Sequence, residues 1–144
     1  SSGLIYENFT KGFTFSGGTS YVDVRDVAKI SVELMEKNIF GERFILISEN
    51  KRYSEMTNFV RNKLGKSTPK ILSKSVLNFA KILNFCFGWF IPSLKMANKV
   101  NIESVTNLNP ISNQKIRERL DYEFIPVEES LDFHLKNYRQ DKKL

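Results

Sequence analysis

Ser20-Tyr21-Val22-Asp23-Val24-Arg25-Asp26-Val27-Ala28 is the stretch on which the fold turns. Its first half is rich in β-branched and aromatic side chains and reads as a strand. From Asp26 the period changes. Val27, Ile30, Val32, Leu34 and Met35 predict a helix running to about Asn38, with Asp26 placed to cap it. A strand passing directly into a helix is a basic unit of α/β architecture.

Strand and helix readings alternate on both sides. Upstream, residues 3–10 read as a short amphipathic helix ended by Lys11-Gly12, and Phe13-Thr14-Phe15 alternates like a strand. Ser16-Gly17-Gly18-Thr19 reads as a turn, because paired glycines reach positive φ without steric cost. Downstream, Gly41 closes the helix, and residues 43–48 (RFILIS) form an apolar run that fits a strand buried on both faces. Ser54 is placed to cap a helix over 55–64 ended by Gly65, and residues 69–72 predict another short strand.

Residues 74–91 are helical in period but apolar around most of the circumference, with Lys74, Asn78, Lys81 and Gly88 on one narrow stripe. So wide an arc exceeds one ordinary packing face. It fits burial under a larger protein, the wall of an apolar ligand pocket, or contact with a membrane surface. A transmembrane span fits poorly, since the run is shorter than ~20 residues and interrupted by Lys81 and two asparagines. Near the C-terminus Ser112 begins a helix to Leu120. Pro126 starts a last one, whose Val127, Leu131, Leu135 and Tyr138 share a face.

Composition sets the bounds. A chain of 144 residues with 41% hydrophobic and 26% charged residues matches one globular domain. The single cysteine, Cys86, excludes an internal disulfide, and no Cys/His zinc spacing occurs, so an intracellular, metal-free, cytoplasmic protein is expected. The net charge of +6 arises in residues 51–100, which hold ten basic side chains and one acidic. That excess reads as a solvated lysine-rich surface. A nucleic-acid binder is not expected, because no recognition motif or aromatic stacking platform accompanies the charge. No secretory signal pattern is present, and the start at Ser1 without methionine reads as a piece of something longer.

Three segments in order resemble the C-terminal half of the extended short-chain dehydrogenases/reductases, the NAD(P)-dependent epimerase/dehydratase family. The first is the opening stretch, similar to that family's aromatic-Val-His/Asp-Val-x-Asp-Val-Ala segment. The second is Gly41-Glu42-Arg43-Phe44-Ile45-Leu46, followed by a polar turn and Tyr53-Ser54-Glu55-Met56. The third runs from Ser112 to Leu120, then Tyr122 and the Pro126-Val127-Glu128-Glu129-Ser130-Leu131 helix start. Where the family often has Leu-Gly, this chain has Leu120-Asp121.

The resemblance implies a helix-rich α/β fold, with a few short strands and about six helices, forming the C-terminal part of a Rossmann-type reductase. Residues 1–144 then make one substrate-binding segment, and the N-terminal NAD(P)-binding Rossmann part lies outside the chain. The seven glycines contain no G-x-G arrangement for a pyrophosphate. NAD or NADP is therefore implied for the parent protein, with none expected to bind this segment. The family's Tyr-x-x-x-Lys pair is expected upstream, and Tyr138 with Lys142 matches that spacing by chance in a tail.

Substrate-facing positions implied by the family are Ser2, Phe13, Phe15, Ser20 and Tyr21; no catalytic, cofactor or metal residue is assigned. No arginine occurs between Arg61 and Arg117, and Thr19 stands where nucleotide-sugar enzymes carry an arginine. The substrate expected is a small carbonyl or alcohol, as in dihydroflavonol-reductase-like members. Asp23 and Asp26 are read as a local ion-pair residue and a helix cap rather than an acid/base pair, and His134 as structural. Self-association is expected of the isolated segment. The alternative reading is a stand-alone interaction module, membrane-peripheral through residues 74–99.

Overall fold

The computed structural model describes residues 9–87 and 102–141. The expected helix over 3–10, Ser2, and the 88–91 end of the apolar segment with Lys95 and Lys99 lie outside those residues, apart from Phe9 and Thr10. In chain order the described elements are strand β1 (Phe13–Phe15), strand β2 (Gly18–Tyr21), helix α1 (Val24–Glu36), strand β3 (Glu49–Arg52) and helix α2 (Tyr53–Lys63). Strand β4 (Lys70–Leu72), then helices α3 (Lys74–Phe87), α4 (Ile102–Thr106), α5 (Gln114–Leu120) and α6 (Val127–Asp141) follow. The fold class is mixed α/β, with six helices and four short strands among the described residues. β1 pairs with β4 and β2 with β3.

The chain divides into two compact units: residues 1–18 with 52–108, and residues 19–51 with 109–144. In the first, β1 and β4 run parallel, with Phe13 opposite Lys70, Thr14 opposite Ile71 and Phe15 opposite Leu72. Helix α2 packs on β1 and buries Met56, Thr57 and Val60. The Thr14 and Thr57 hydroxyls meet at 3.1 Å, so two buried polar groups satisfy each other. α2 starts earlier than Ser54, at Tyr53, because the Glu55 carboxylate accepts from the Arg52 N–H at 3.3 Å. It ends at Leu64, with Gly65 at φ +65.

Arg61 is only 6% exposed yet carries a full charge. Its Nη1 donates to the carbonyls of Thr10 (2.8 Å) and Lys11 (2.7 Å), while Nε reaches the Ser67 carbonyl. One planar fork thus ties the approach to β1 to the loop before β4. Arg61→Ala is expected to cost about 1.5–3 kcal/mol in urea unfolding, since three part-buried hydrogen bonds from a charged donor are lost. Arg61→Lys keeps the charge without the fork and should recover less than half of that.

Gly17 corrects one expectation. Neither it nor Gly18 has positive φ. A Cβ on Gly17 would meet the carbonyl oxygens of Val105 and Asn107 at 2.6 Å, and its N–H donates to Val105 O at 2.9 Å. The glycine is needed for close backbone approach, not for a turn.

In the second unit Ile30, Ile116, Leu120 and Phe124 form the buried centre, with Val22, Leu34, Ile39, Phe44, Leu46 and Tyr122 packed around it. Helix α6 adds Val127, Leu131 and Leu135 on the predicted face. α1 begins at Val24, two residues before the expected start. Residues 43–48 form no strand, although the Ser48 N–H donates to the Tyr21 carbonyl at 2.7 Å; Phe44 and Leu46 pack against the core while Ile45 is 52% exposed. The strand lies just beyond, at the polar Glu49–Arg52, because backbone pairing with β2 decides it and hydrophobicity does not. Asp121 ends α5 in the left-handed conformation (φ 49, ψ 43), the geometry a glycine would take there.

Candidate functional site

Strand β2 ends by turning Asp23 inward. Asp23 has extended backbone (φ −76, ψ 138) and is 1% exposed; its carboxylate caps α1 by accepting from the Arg25 N–H at 2.8 Å. Asp23, not Asp26, is therefore the cap, because the chain becomes helical at Val24. The Arg25 guanidinium closes a fork on the same carboxylate, Nε to Oδ1 at 3.0 Å and Nη2 to Oδ2 at 2.9 Å. Its flat face lies over the Phe133 ring, 4.1 Å from the centroid. The expected local ion pair is present.

From α6, Ser130 Oγ donates to Asp23 Oδ2, and the Tyr21 hydroxyl lies 3.1 Å from Ser130 Oγ. His134 Nε2 stands 3.6 Å from Asp23 Oδ2. The Arg25 hydrogen bonds, then Ser130, hold the Asp23 carboxyl far below the usual carboxylate range despite burial. Such a carboxylate is a fixed anion with its lone pairs occupied. It is a poor general base.

Asp26, fully buried, bonds to a different segment: it accepts from the Tyr122 hydroxyl at 3.0 Å and from the Ile125 N–H at 3.1 Å. Burial, and then this hydrogen bond to a carboxylate, push the Tyr122 phenol up to about 12. A proton-transferring tyrosine needs the opposite shift. A spectrophotometric titration at 295 nm is expected to show Tyr122 still largely protonated at pH 11. The raised folded value means that Tyr122 adds stability below pH ~10 that is lost as pH rises through 12. Tyr122→Phe should remove the late-titrating step and cost about 0.5–1.5 kcal/mol near neutrality.

A second set of bonds joins β3 to the C-terminal helices. Glu49 Oε1 accepts from the Val127 N–H at the start of α6 at 3.1 Å, and Lys51 Nζ bridges Glu49 and Glu128, both at 2.8 Å. Glu128 first, then Glu49, raise the Lys51 ammonium above its ordinary value. Asn50 Oδ1 accepts from the Ile111 N–H at 3.0 Å, and Asn113 Nδ2 donates to the Ile47 carbonyl. Glu42 pairs with Lys115 (2.9 Å) and Arg119 (3.6 Å).

The family-implied positions distribute as follows. Phe13 is 44% exposed on β1, and Phe15 is partly buried in an edge-to-face contact with Tyr53 (centroids 6.5 Å apart). Both belong to the first unit. Ser20 and Tyr21 belong to the second, where Ser20 Oγ donates to Asn50 Oδ1 at 2.7 Å and Tyr21 meets Ser130. Ser2 lies outside the described residues. Reading the sequence missed Ser130. Its place at i+3 from Val127, on the apolar face of α6, was the available signal for a buried polar partner.

No family model matches the sequence, and no curated protein matches it. Among solved structures the chain is similar to the crystal structure of gox2253, with TM-score 0.71 and 20% identity over 99% of this chain. The match covers 44% of that chain, so these residues span less than half its length. The likeness shows a shared fold. Among the described residues no helix is long and apolar enough to cross a membrane.

Proposed function

We propose that this chain is the substrate-binding portion of an NAD(P)-dependent oxidoreductase, epimerase or dehydratase of the extended short-chain reductase type, acting on a small carbonyl or alcohol. It is inactive alone, and the nicotinamide is held by a Rossmann part outside these residues. One observation carries the reading. The first and third segments that resemble the family, and the Gly41–Leu46 part of the second, are bonded within one unit: Asp23 and Asp26 of the first hold Ser130, Tyr122 and Ile125, and Glu42 of the second pairs with Lys115 and Arg119 of the third. The aspartates of the first segment then serve to build the unit rather than to move protons. Phe13, exposed on β1, is the least structurally committed of the substrate-facing positions.

The test is made on the polypeptide as its native reading frame encodes it. Oxidation of NADH or NADPH is followed at 340 nm with a panel of aliphatic and aromatic aldehydes and ketones. The expected result is turnover of apolar carbonyls, with Phe13→Ala raising KM about tenfold and leaving kcat within about twofold, the pattern of lost uniform binding. Failure to bind or oxidise either nucleotide removes the reading.

A second reading has one observation in its favour. On α3, Val76, Phe79 and Ile82 are 51%, 61% and 61% exposed, in the most basic third of the sequence. An interaction module docking on anionic membranes through this helix predicts salt-sensitive cosedimentation with phosphatidylserine vesicles. Absence of cosedimentation at low salt removes it.

A further inference from the structure

Two hydroxyls in the second unit form a chain that ends on a charge. Tyr21, the last residue of β2, meets Ser130 of α6 at 3.1 Å between oxygens, and Ser130 meets Asp23 Oδ2. Ser130 and Asp23 are fully buried, whereas Tyr21 is half-buried. The Tyr21–Ser130 distance permits either hydroxyl to donate. Counting protons decides between them. A serine hydroxyl has one proton to give. Asp23 brings an ionised carboxylate with none of its own, because the Arg25 hydrogen bonds hold it far below the usual carboxylate range. A hydrogen bond to an ionised acceptor is roughly twice as strong as one between neutral groups, so the Ser130 proton goes to Asp23 and not to the phenol. Ser130 Oγ is left as an acceptor, and the Tyr21 O–H donates to it. Arg25 and His134 approach the same carboxylate and leave that direction unchanged.

The direction has a consequence for any ligand that Tyr21 faces. A phenol whose proton is spent inward keeps only oxygen lone pairs, and these accept. A ligand carbonyl or ether brings acceptors alone and finds no donor there. A ligand hydroxyl or amine brings the proton that the phenol lacks. A site built to pair with a hydroxyl discriminates strongly against an analogue without one, because its own polar group is then left unpaired.

We propose that Asp23 and Ser130 are positioning residues that commit the Tyr21 proton to the interior, so that Tyr21 meets a ligand as an acceptor and favours substrates carrying a hydroxyl group. That the ligand is a substrate rests on the functional reading above; the direction of the chain does not. The test uses the full polypeptide of the native reading frame. The tyrosine Fermi doublet in ultraviolet resonance Raman spectra separates a phenol that donates from one that accepts, and subtracting the spectrum of Tyr21→Phe isolates Tyr21. A donor pattern is expected. In Asp23→Asn an amide nitrogen at the Oδ2 position donates to Ser130 and frees the serine proton for Tyr21, so the pattern should shift to that of an acceptor. Ser130→Ala, which removes the acceptor outright, should lose the donor pattern even if Asp23→Asn fails to fold. An acceptor pattern in the wild type, or a donor pattern that survives in both variants, overturns the proposal. In parallel, kcat/KM for a hydroxylated aromatic ketone is compared with that for its methyl ether. The hydroxyl compound should be favoured about tenfold, and Tyr21→Phe should bring the ratio to within about twofold of unity. Equal kcat/KM values in the wild type overturn the substrate preference. A donor pattern without turnover of any carbonyl removes the functional reading and leaves the direction of the chain standing.

Discussion

Asp23→Ala is expected to lower the unfolding free energy by about 2–4 kcal/mol at pH 7, measured by urea denaturation. The carboxylate is 1% exposed and accepts from the Arg25 backbone, both arms of the Arg25 guanidinium and the Ser130 hydroxyl. Removing one partner of a buried ion pair costs about 3–5 kcal/mol when the other is left dry. Here the Arg25 side chain is 32% exposed and regains water, which brings the figure down. The pH dependence has a definite sign. The folded carboxyl is held below its unfolded value of ~3.9, so its contribution is complete above pH ~5 and fades as pH falls through the folded value. The gap between wild type and Asp23→Ala should therefore narrow from pH 5 to pH 2. Asp23→Asn keeps the shape and the cap while weakening the charged bonds, and should fall between the two.

Ile30→Ala is the other large effect, about 2–5 kcal/mol in the same measurement. Ile30 is fully buried on α1 and meets Ile116 and Leu120 of α5 and Phe124 beyond it. Three elements converge there, so little of the vacated volume can be refilled by one of them moving. Alanine's better helix propensity returns only a few tenths of a kcal/mol. Ile30→Val removes one methylene and should cost about 0.5–1.5 kcal/mol. If alanine and valine cost the same, the side chain is not held as tightly as its burial implies.

These residues also show what the sequence made legible. The period-3.6 pattern located α1 and α6, and capping residues and a glycine bounded α2 and α5, to within about two residues. The β1 and β4 strands were legible from short runs bounded by turn residues. The roles of Asp23 and Asp26 were not. Both sit near a helix start with one turn of space between them, and only the residue at which the backbone becomes helical decides which one caps. Residues 43–48 misled for a related reason: an apolar run records burial, whereas a strand is fixed by the partner backbone, and β2 pairs with the polar Glu49–Arg52 instead. Leu120-Asp121, a departure from the family's Leu-Gly, retains the left-handed turn at Asp121, so the departure leaves the ending of α5 intact.

At the site, Tyr21 and Ser20 were legible as positions but not as partners. Hydrogen bonds from Tyr21 to Ser130 and from Ser20 to Asn50 join residues 109 and 30 apart, a distance over which no local pattern speaks. The same long-range bonding explains why the partner of Tyr122 was not legible. The raised Tyr122 phenol follows from contact with an aspartate 96 residues away.

The central claim is that these residues form the substrate-facing part of a nicotinamide-dependent enzyme. Reading the coding sequence immediately ahead of Ser1 tests it most directly. The account predicts about 150–200 further residues, opening on a glycine-rich strand-turn-helix and later carrying Tyr-x-x-x-Lys. A start codon directly before Ser1 would contradict it.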